Sequence, residues 1–406
     1  MSVNGQRIEL ECEFIEKTDR GLQCEFSNIS TTQFSEVIVS EKNTSIDAVS
    51  FRQSDLYSVP VSLFEKFPKL KHIDVEFTSL KELRIYDFIN ANSLKYFLAR
   101  FNDITSLSSN VFTLCPLLKF IVLQWNKISS IDSNAFNGLI SLEALYLDHN
   151  QIKILPPGLL FPLVNLVHFS LAYNNITNVP ENLFMTNEKL ETLNFGRNLL
   201  IAFDGKHFDS LHNLERVQLN HNKLKILNLR TCKSSEINVD KNDLESLELN
   251  KWTRFLSAWG NPIKFLTLHE HYGIGRNYNF SFEHVSEITF FVNEHCCTIE
   301  NLEKFEILIH NFGDLSQKTF NVSEWTCQFR KKNLGYQTPN GTVVDDVCVK
   351  TTLIDEPNID SSRDSRFNDD LEDGYSILVQ STNKPGRNIV NSEDLIDSDE
   401  TTKPRE

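Results

Sequence analysis

The fold is decided between Leu118 and Leu224, where LKFIVLQWNKI (118–128) returns as LEALYLDHNQI (142–152), LVHFSLAYNNI (166–176), LETLNFGRNLL (190–200) and LERVQLNHNKL (214–224). The fixed positions are Leu118, Ile121, Leu123, Asn126 and Ile128 with their equivalents, and successive asparagines are 24 residues apart. A second column keeps the same period. Phe64, Phe88, Phe112, Phe136, Phe184 and Phe208 each stand 14 residues before the polar turn position, with Leu160 in the one gap. Scattered helices would repeat every ~3.6 residues, so this period means stacked coils. Alternate apolar residues of a short strand point inward, and one coil cannot bury them alone. The asparagine follows the strand, where the chain turns into the core. Its amide offers two donors and an acceptor to turn backbone groups that would otherwise be buried unpaired.

Working outward, Val49-Phe51-Ser54-Leu56 and Leu70-Ile73-Val75-Thr78-Leu80 keep the spacing, with hydroxyl residues in place of asparagine. Beyond Asn222 the period contracts: Ile237-Val239-Asn242-Leu244 follows after 20 residues and Leu256-Ala258-Asn261-Ile263 after 19. A shorter coil has less room for a helical turn on its convex side, so this end should be more extended there. The phrase L-x-x-L-x-L-x-x-N-x-L resembles the leucine-rich repeat. That resemblance implies an α/β solenoid, a horseshoe whose concave face is a parallel β-sheet. The expected organisation is a cysteine-containing cap with a first degenerate strand (1–45), the solenoid (46–263), a second cysteine-containing cap (264–350) and a disordered acidic tail (351–406).

Composition limits the partners. The net charge is −15, and the last 56 residues hold fourteen acidic against six basic side chains. An acidic balance argues against nucleic acid. The tail is too polar to offset chain entropy by burial, and reads as a solvated spacer or a lure for a basic partner. No apolar run of about 18 residues is present to span a membrane. The first residues lack the apolar core of a secretory signal, so secretion would require a signal segment missing from this version of the chain. Six N-x-S/T sequons, at Asn28, Asn43, Asn175, Asn279, Asn321 and Asn340, point outside the cell as glycosylation sites. Six of the eight cysteines lie toward the two ends. Cys12 and Cys24 would close the first cap, and Cys296 and Cys297 would bridge to Cys327 and Cys348 in an order the sequence leaves open. Cys115 takes the place that Leu139 holds in the next coil and reads as a buried thiol.

Chemistry is sparse. The His269-Glu270-His271 region with His284, His295, Cys296, Cys297 and His310 lacks the spacing of a metal site, so no metal or cofactor is expected. There is no G-x-S-x-G elbow or glycine-rich phosphate loop, and no catalytic residue is assigned. The residues just before the turn position read Gln53, Phe77, Phe101, Trp125, His149, Tyr173, Arg197 and His221. In the strands, Leu98, Val122 and Tyr146 give an apolar middle. Aromatic side chains dominate protein interfaces, so Phe77, Phe101, Trp125, Tyr146, His149 and Tyr173 are the candidate partner surface. For His149 and Tyr173, packing on neighbouring coils is an equally good reading.

The double cysteine after the repeats is also similar to the insect leucine-rich immune proteins. That likeness implies a secreted, non-enzymatic recognition or scaffold protein of innate immunity, with a protein ligand such as a complement-like thioester protein. The absence of a sustained heptad after the cysteines departs from that family's pattern, and puts coiled-coil pairing and the carried-over partner in doubt. The alternative is a structural matrix or adhesion protein.

Overall fold

The computed structural model describes residues 7–17, 21–32, 36–39, 45–203, 205–250 and 252–269, and seven further strand segments between 278 and 351. These residues fall in one compact unit, 1–359. The tail beyond 351 and most of the second cap, Cys296, Cys297 and Cys327 included, lie outside the described residues, as do Asn43 and Asn340. Asn279, Asn321 and Cys348 fall in strands described by their backbone only.

The described residues wind as a solenoid of stacked parallel-strand coils. Each coil adds one short strand to a fifteen-stranded sheet. Its middle runs Tyr96–Leu98, Phe120–Val122, Ala144–Tyr146, His168–Ser170, Thr192–Asn194 and Arg216–Gln218, all parallel. The register follows the sequence period, with Phe97, Ile121, Leu145, Phe169, Leu193 and Val217 side by side. These central residues point inward and are at most 1% exposed. The sheet's first pair is antiparallel: Glu13–Lys17 folds back on Gly21–Ser27, which then pairs in parallel with Ala48–Arg52. Cys12 and Cys24 form a disulfide across that hairpin, with Cα atoms 5.4 Å apart. A second antiparallel pair, Glu306–Phe312 with Leu315–Asn321, lies at the far edge.

The phenylalanine column fills the interior. Phe64 stands 6.2 Å from Phe88, and Phe88 stands 5.3 Å from Phe112, ring centre to ring centre. Phe136, Leu160, Phe184 and Phe208 continue it, all buried. Helix is scarce: among the described residues it is confined to Leu63–Lys66 and the 3-10 turns Ile85–Phe88 and Gly205–Phe208. In the short coils the return segments are extended. Ser246–Leu249 pairs in parallel with Phe265–His269, because a coil of about 20 residues leaves nothing spare for a helical turn. Cys115 and Cys232 are buried free thiols; burial pushes the Cys115 thiol up, and the Cys232 thiol up to about 12.

Each asparagine of the repeat ties its own coil to the preceding one. Asn150 Nδ2 donates to the carbonyls of Leu123 (3.0 Å), Leu147 (3.0 Å) and Asp148 (3.1 Å), while Oδ1 accepts the Ile128 N–H at 2.9 Å. Asn126, Asn174, Asn198, Asn222, Asn242 and Asn261 repeat the pattern. Where the sequence has a hydroxyl instead, the following coil compensates. Thr78 Oγ1 reaches the Val75 carbonyl at 2.7 Å, and Asn102 Oδ1 accepts both the Thr78 and Leu80 N–H groups.

Candidate functional site

The residue before each asparagine lies three positions past its strand, on the turn, so its side chain edges the concave sheet. Its backbone is left-handed in every coil: φ is 47° at Gln53, 56° at Phe77, 54° at Phe101, 55° at Trp125, 53° at His149 and 54° at Tyr173. Arg197, His221 and Lys241 follow, and only Gly260 uses glycine. This conformation turns each N–H toward the next coil. Phe77 donates to Arg100 O (3.1 Å), Trp125 to Asp148 O (3.0 Å) and Tyr173 to Gly196 O (3.0 Å).

Identical backbone in successive coils lays the side chains face to face. Phe77 stacks on Phe101 at 4.4 Å between ring centres, Phe101 on Trp125 at 5.5 Å, Trp125 on His149 at 3.7 Å and His149 on Tyr173 at 3.9 Å, all within 18° of parallel. The Arg197 guanidinium closes the stack, 5.0 Å from the Tyr173 ring centre. Ring faces are thus used within the column, and what remains accessible is the ring edges and the outer face of Phe77. Phe77 is 64% exposed, Tyr173 43% and Trp125 38%, with Phe101 and His149 partly buried. Desolvation between Trp125 and Tyr173, with the Arg197 charge adding, pushes His149 down to about 4, so it is neutral at pH 7. An open depression of about 430 Å³ runs along this edge, lined by Trp125, His149, Gln151, Tyr173 and Arg197 among others.

Tyr146 is placed differently. It is 8% exposed, and Val122 and Leu98 beside it are 2% and 3% exposed. Adjacent parallel strands lie only about 4.8 Å apart, so side chains of one column close over each other and leave little of a mid-strand residue open. The candidate residues therefore divide: five form the stacked edge and Tyr146 lies in the floor.

Two further arrangements escaped the sequence reading. At the first strand position His72, Tyr96 and Phe120 stack at 4.2 and 5.0 Å, a second aromatic column that the same 24-residue spacing would have revealed. Behind the ring edge runs a row of buried polar groups. Arg100 Nε donates to Glu76 Oε1 at 2.6 Å, both nearly buried. Asp148 accepts from Gln124 Nε2, Ser170 Oγ and the Ala172 N–H; burial raises its pKa despite these donors. No sequence signal marks Asp148 as buried, because its burial comes from neighbouring coils.

A leucine-rich repeat family model matches residues 100–152, 116–176 and 164–224. These residues are leucine-rich repeats. No curated protein matches the sequence. Solved structures similar to this repeat protein include the LRIM1/APL1C complex, at 18% identity over 67% of this chain and 64% of that one, with a TM-score of 0.37. The APL1 leucine-rich repeat domain is 17% identical over 83% and 98% of the two chains, with a TM-score of 0.42. The Toll–Spatzle complex, a molecular hub in Drosophila development and innate immunity, is 18% identical over 62% and 50%, with a TM-score of 0.35. This chain thus spans just under two thirds of the first, nearly all of the second and half of the third. Among the described residues no helix is long and apolar enough to cross a membrane, and no group of three His, Cys, Asp or Glu could hold a metal ion.

Proposed function

We propose that this leucine-rich repeat protein is a secreted, non-enzymatic recognition protein that holds a protein partner against the edge formed by Phe77, Phe101, Trp125, His149 and Tyr173. One observation carries the reading: the fold does not require aromatic side chains there. The same left-handed turn is made with Gln53, Arg197, Lys241 and Gly260. The backbone N–H bond to the next coil is kept at Arg197 and Lys241 as it is at Tyr173. Five consecutive rings at a position that tolerates amide, cation or glycine form a strip of ring edges, exposed at Phe77, Trp125 and Tyr173, on a rigid scaffold, and such aromatic surface is where interface energy concentrates. The likeness to insect leucine-rich immune proteins points to innate immune recognition or scaffolding, and makes a complement-like thioester protein the first partner to try.

The test replaces Trp125→Ser and Tyr173→Asp together in the full chain and compares capture from the native body fluid with the intact protein as bait. Capture should be lost while circular dichroism stays that of the parent and unfolding stays cooperative with a midpoint only modestly lowered. Undiminished capture by a folded double variant would place the partner elsewhere.

A further inference from the structure

We propose that Asn28 and Asn175 carry N-linked glycans that bracket the ring column and leave Phe101 and Trp125 as its open middle. The inference rests on the column being the partner site, and defines how much of it a partner can reach. Both asparagines are exposed and head N-x-S/T sequons. Asn28 belongs to the column itself. It has the same left-handed backbone, φ 59°, and its N–H donates to Arg52 O at 3.1 Å as that of Phe77 does to Arg100 O. Ser27 pairs with Arg52, which sets Asn28 beside Gln53, one coil before Phe77.

At the other end, Asn174 and Asn175 are neighbours with opposite fates. Asn174 is buried with its amide committed to Leu147, Leu171 and Ala172 carbonyls, whereas Asn175 is exposed. The sequon falls on the exposed one. Ile176 is fully buried, so Asn175 and Thr177 both stand on the solvent side of the turn. Asn175 is two residues past Tyr173, and its counterpart one coil back, Gln151, lines the depression. An oligosaccharide of several sugars rooted there stands over Tyr173 and Arg197.

In the modification, the asparagine amide nitrogen attacks the anomeric carbon of an oligosaccharide donor linked to a lipid pyrophosphate. A C–N bond replaces the C–O bond to phosphate, the lipid pyrophosphate leaves, and the amide gives up one proton.

The full chain is produced in a eukaryotic secretory host and mapped by mass spectrometry after glycosidase treatment in heavy-oxygen water. Both Asn28 and Asn175 should be labelled. Hydroxyl-radical footprinting of the folded protein before and after enzymatic removal of the glycans then reads the shielding. Tyr173 and Phe77 oxidation should rise several-fold and Trp125 should change little. Thr177→Ala, which leaves Asn175 in place, should reproduce the Tyr173 rise alone. An unlabelled asparagine at either site, or unchanged oxidation of Tyr173 and Phe77, overturns the proposal. If both glycans and their shielding are found but the Trp125/Tyr173 double replacement leaves capture intact, the partner reading fails and the bracket stands.

Discussion

Two residues side by side in every coil have been put to opposite uses. The asparagine is buried, bonded through both amide atoms and identical from Asn102 to Asn261. Its predecessor has an equally uniform backbone but a side chain that changes from Gln53 through five aromatic residues to Arg197, His221, Lys241 and Gly260. The backbone alone would prefer glycine, since a left-handed residue with a Cβ costs about 1–2 kcal/mol. Parallel stacking returns about 0.5–1.5 kcal/mol per ring pair, so the aromatic run is close to neutral for folding. Uniformity therefore marks the column that holds the solenoid together, and variation marks a column whose side chains the fold does not dictate.

The strongest way to break this contrast is Asn150→Ala. The change leaves the buried Ile128 N–H without its acceptor, at about 1–3 kcal/mol, and removes one of the two amide donors from each of the Leu123 and Leu147 carbonyls, which keep Asn126 and Asn174, at about 0.5–1.5 kcal/mol per lost bond. Water entering the vacated space would recover part of this, so a loss on the order of 2–4 kcal/mol is expected. Urea denaturation would measure it as a fall in midpoint. Trp125→Ser in the neighbouring column removes a ring that is 38% exposed and stacked between Phe101 and His149 while keeping the backbone N–H bond to Asp148, and should cost about 1–2 kcal/mol. Equal losses at the two positions would erase the distinction between the columns.

A pH series sharpens the same contrast within the column. His149 is held down to about 4 from 6.5, so between those values the unfolded chain binds more protons than the folded one. Its contribution is complete above the unfolded value and is lost as pH falls toward 4. Burial raises Asp74 and Asp87 to about 6, which works the other way: their contribution is present below 3.8 and lost as pH rises toward 6. Burial also holds His168 down to about 4, adding in the same direction as His149. These three groups stay in place in His149→Phe, which keeps a ring in the stack and removes the proton. The difference in stability between variant and parent should be flat above pH 7 and should shift in favour of the variant from pH 6.5 toward 4. A pH-independent difference in denaturation midpoint would mean that the stack does not hold the imidazole neutral.

Legibility in the sequence follows the same division. The leucines, the phenylalanine column and the asparagine ladder were readable because their chemistry is set by position within one coil, which the 24-residue spacing exposes directly. Stacking of Phe77 through Tyr173 was readable as adjacency, but its geometry depends on the left-handed turn, which no aromatic residue announces. Tyr146 looked as available as Trp125 from spacing alone. Its burial is a property of neighbouring strands closing on each other, as is that of Asp148 and of the Arg100–Glu76 pair. What one coil decides could be read in advance, and what its neighbours decide could not.

The smallest effect is expected where the column ends. Gly260 has φ 69°, and a Cβ built on it meets Lys241 Cγ at 3.2 Å and the Lys241 backbone at 3.5 Å. The tighter contact is to a flexible side chain, and Lys241 itself makes the same left-handed turn with a side chain attached. Gly260→Ala therefore meets left-handed strain of about 1–2 kcal/mol, offset by about 0.4–1 kcal/mol from the lower freedom of alanine in the unfolded chain. A net loss of about 1 kcal/mol or less in urea denaturation is the expected result. A loss as large as that of Asn150→Ala would show that the last coil, unlike those before it, needs glycine to close. The column before the asparagines would then be free in its side chains only as far as Lys241.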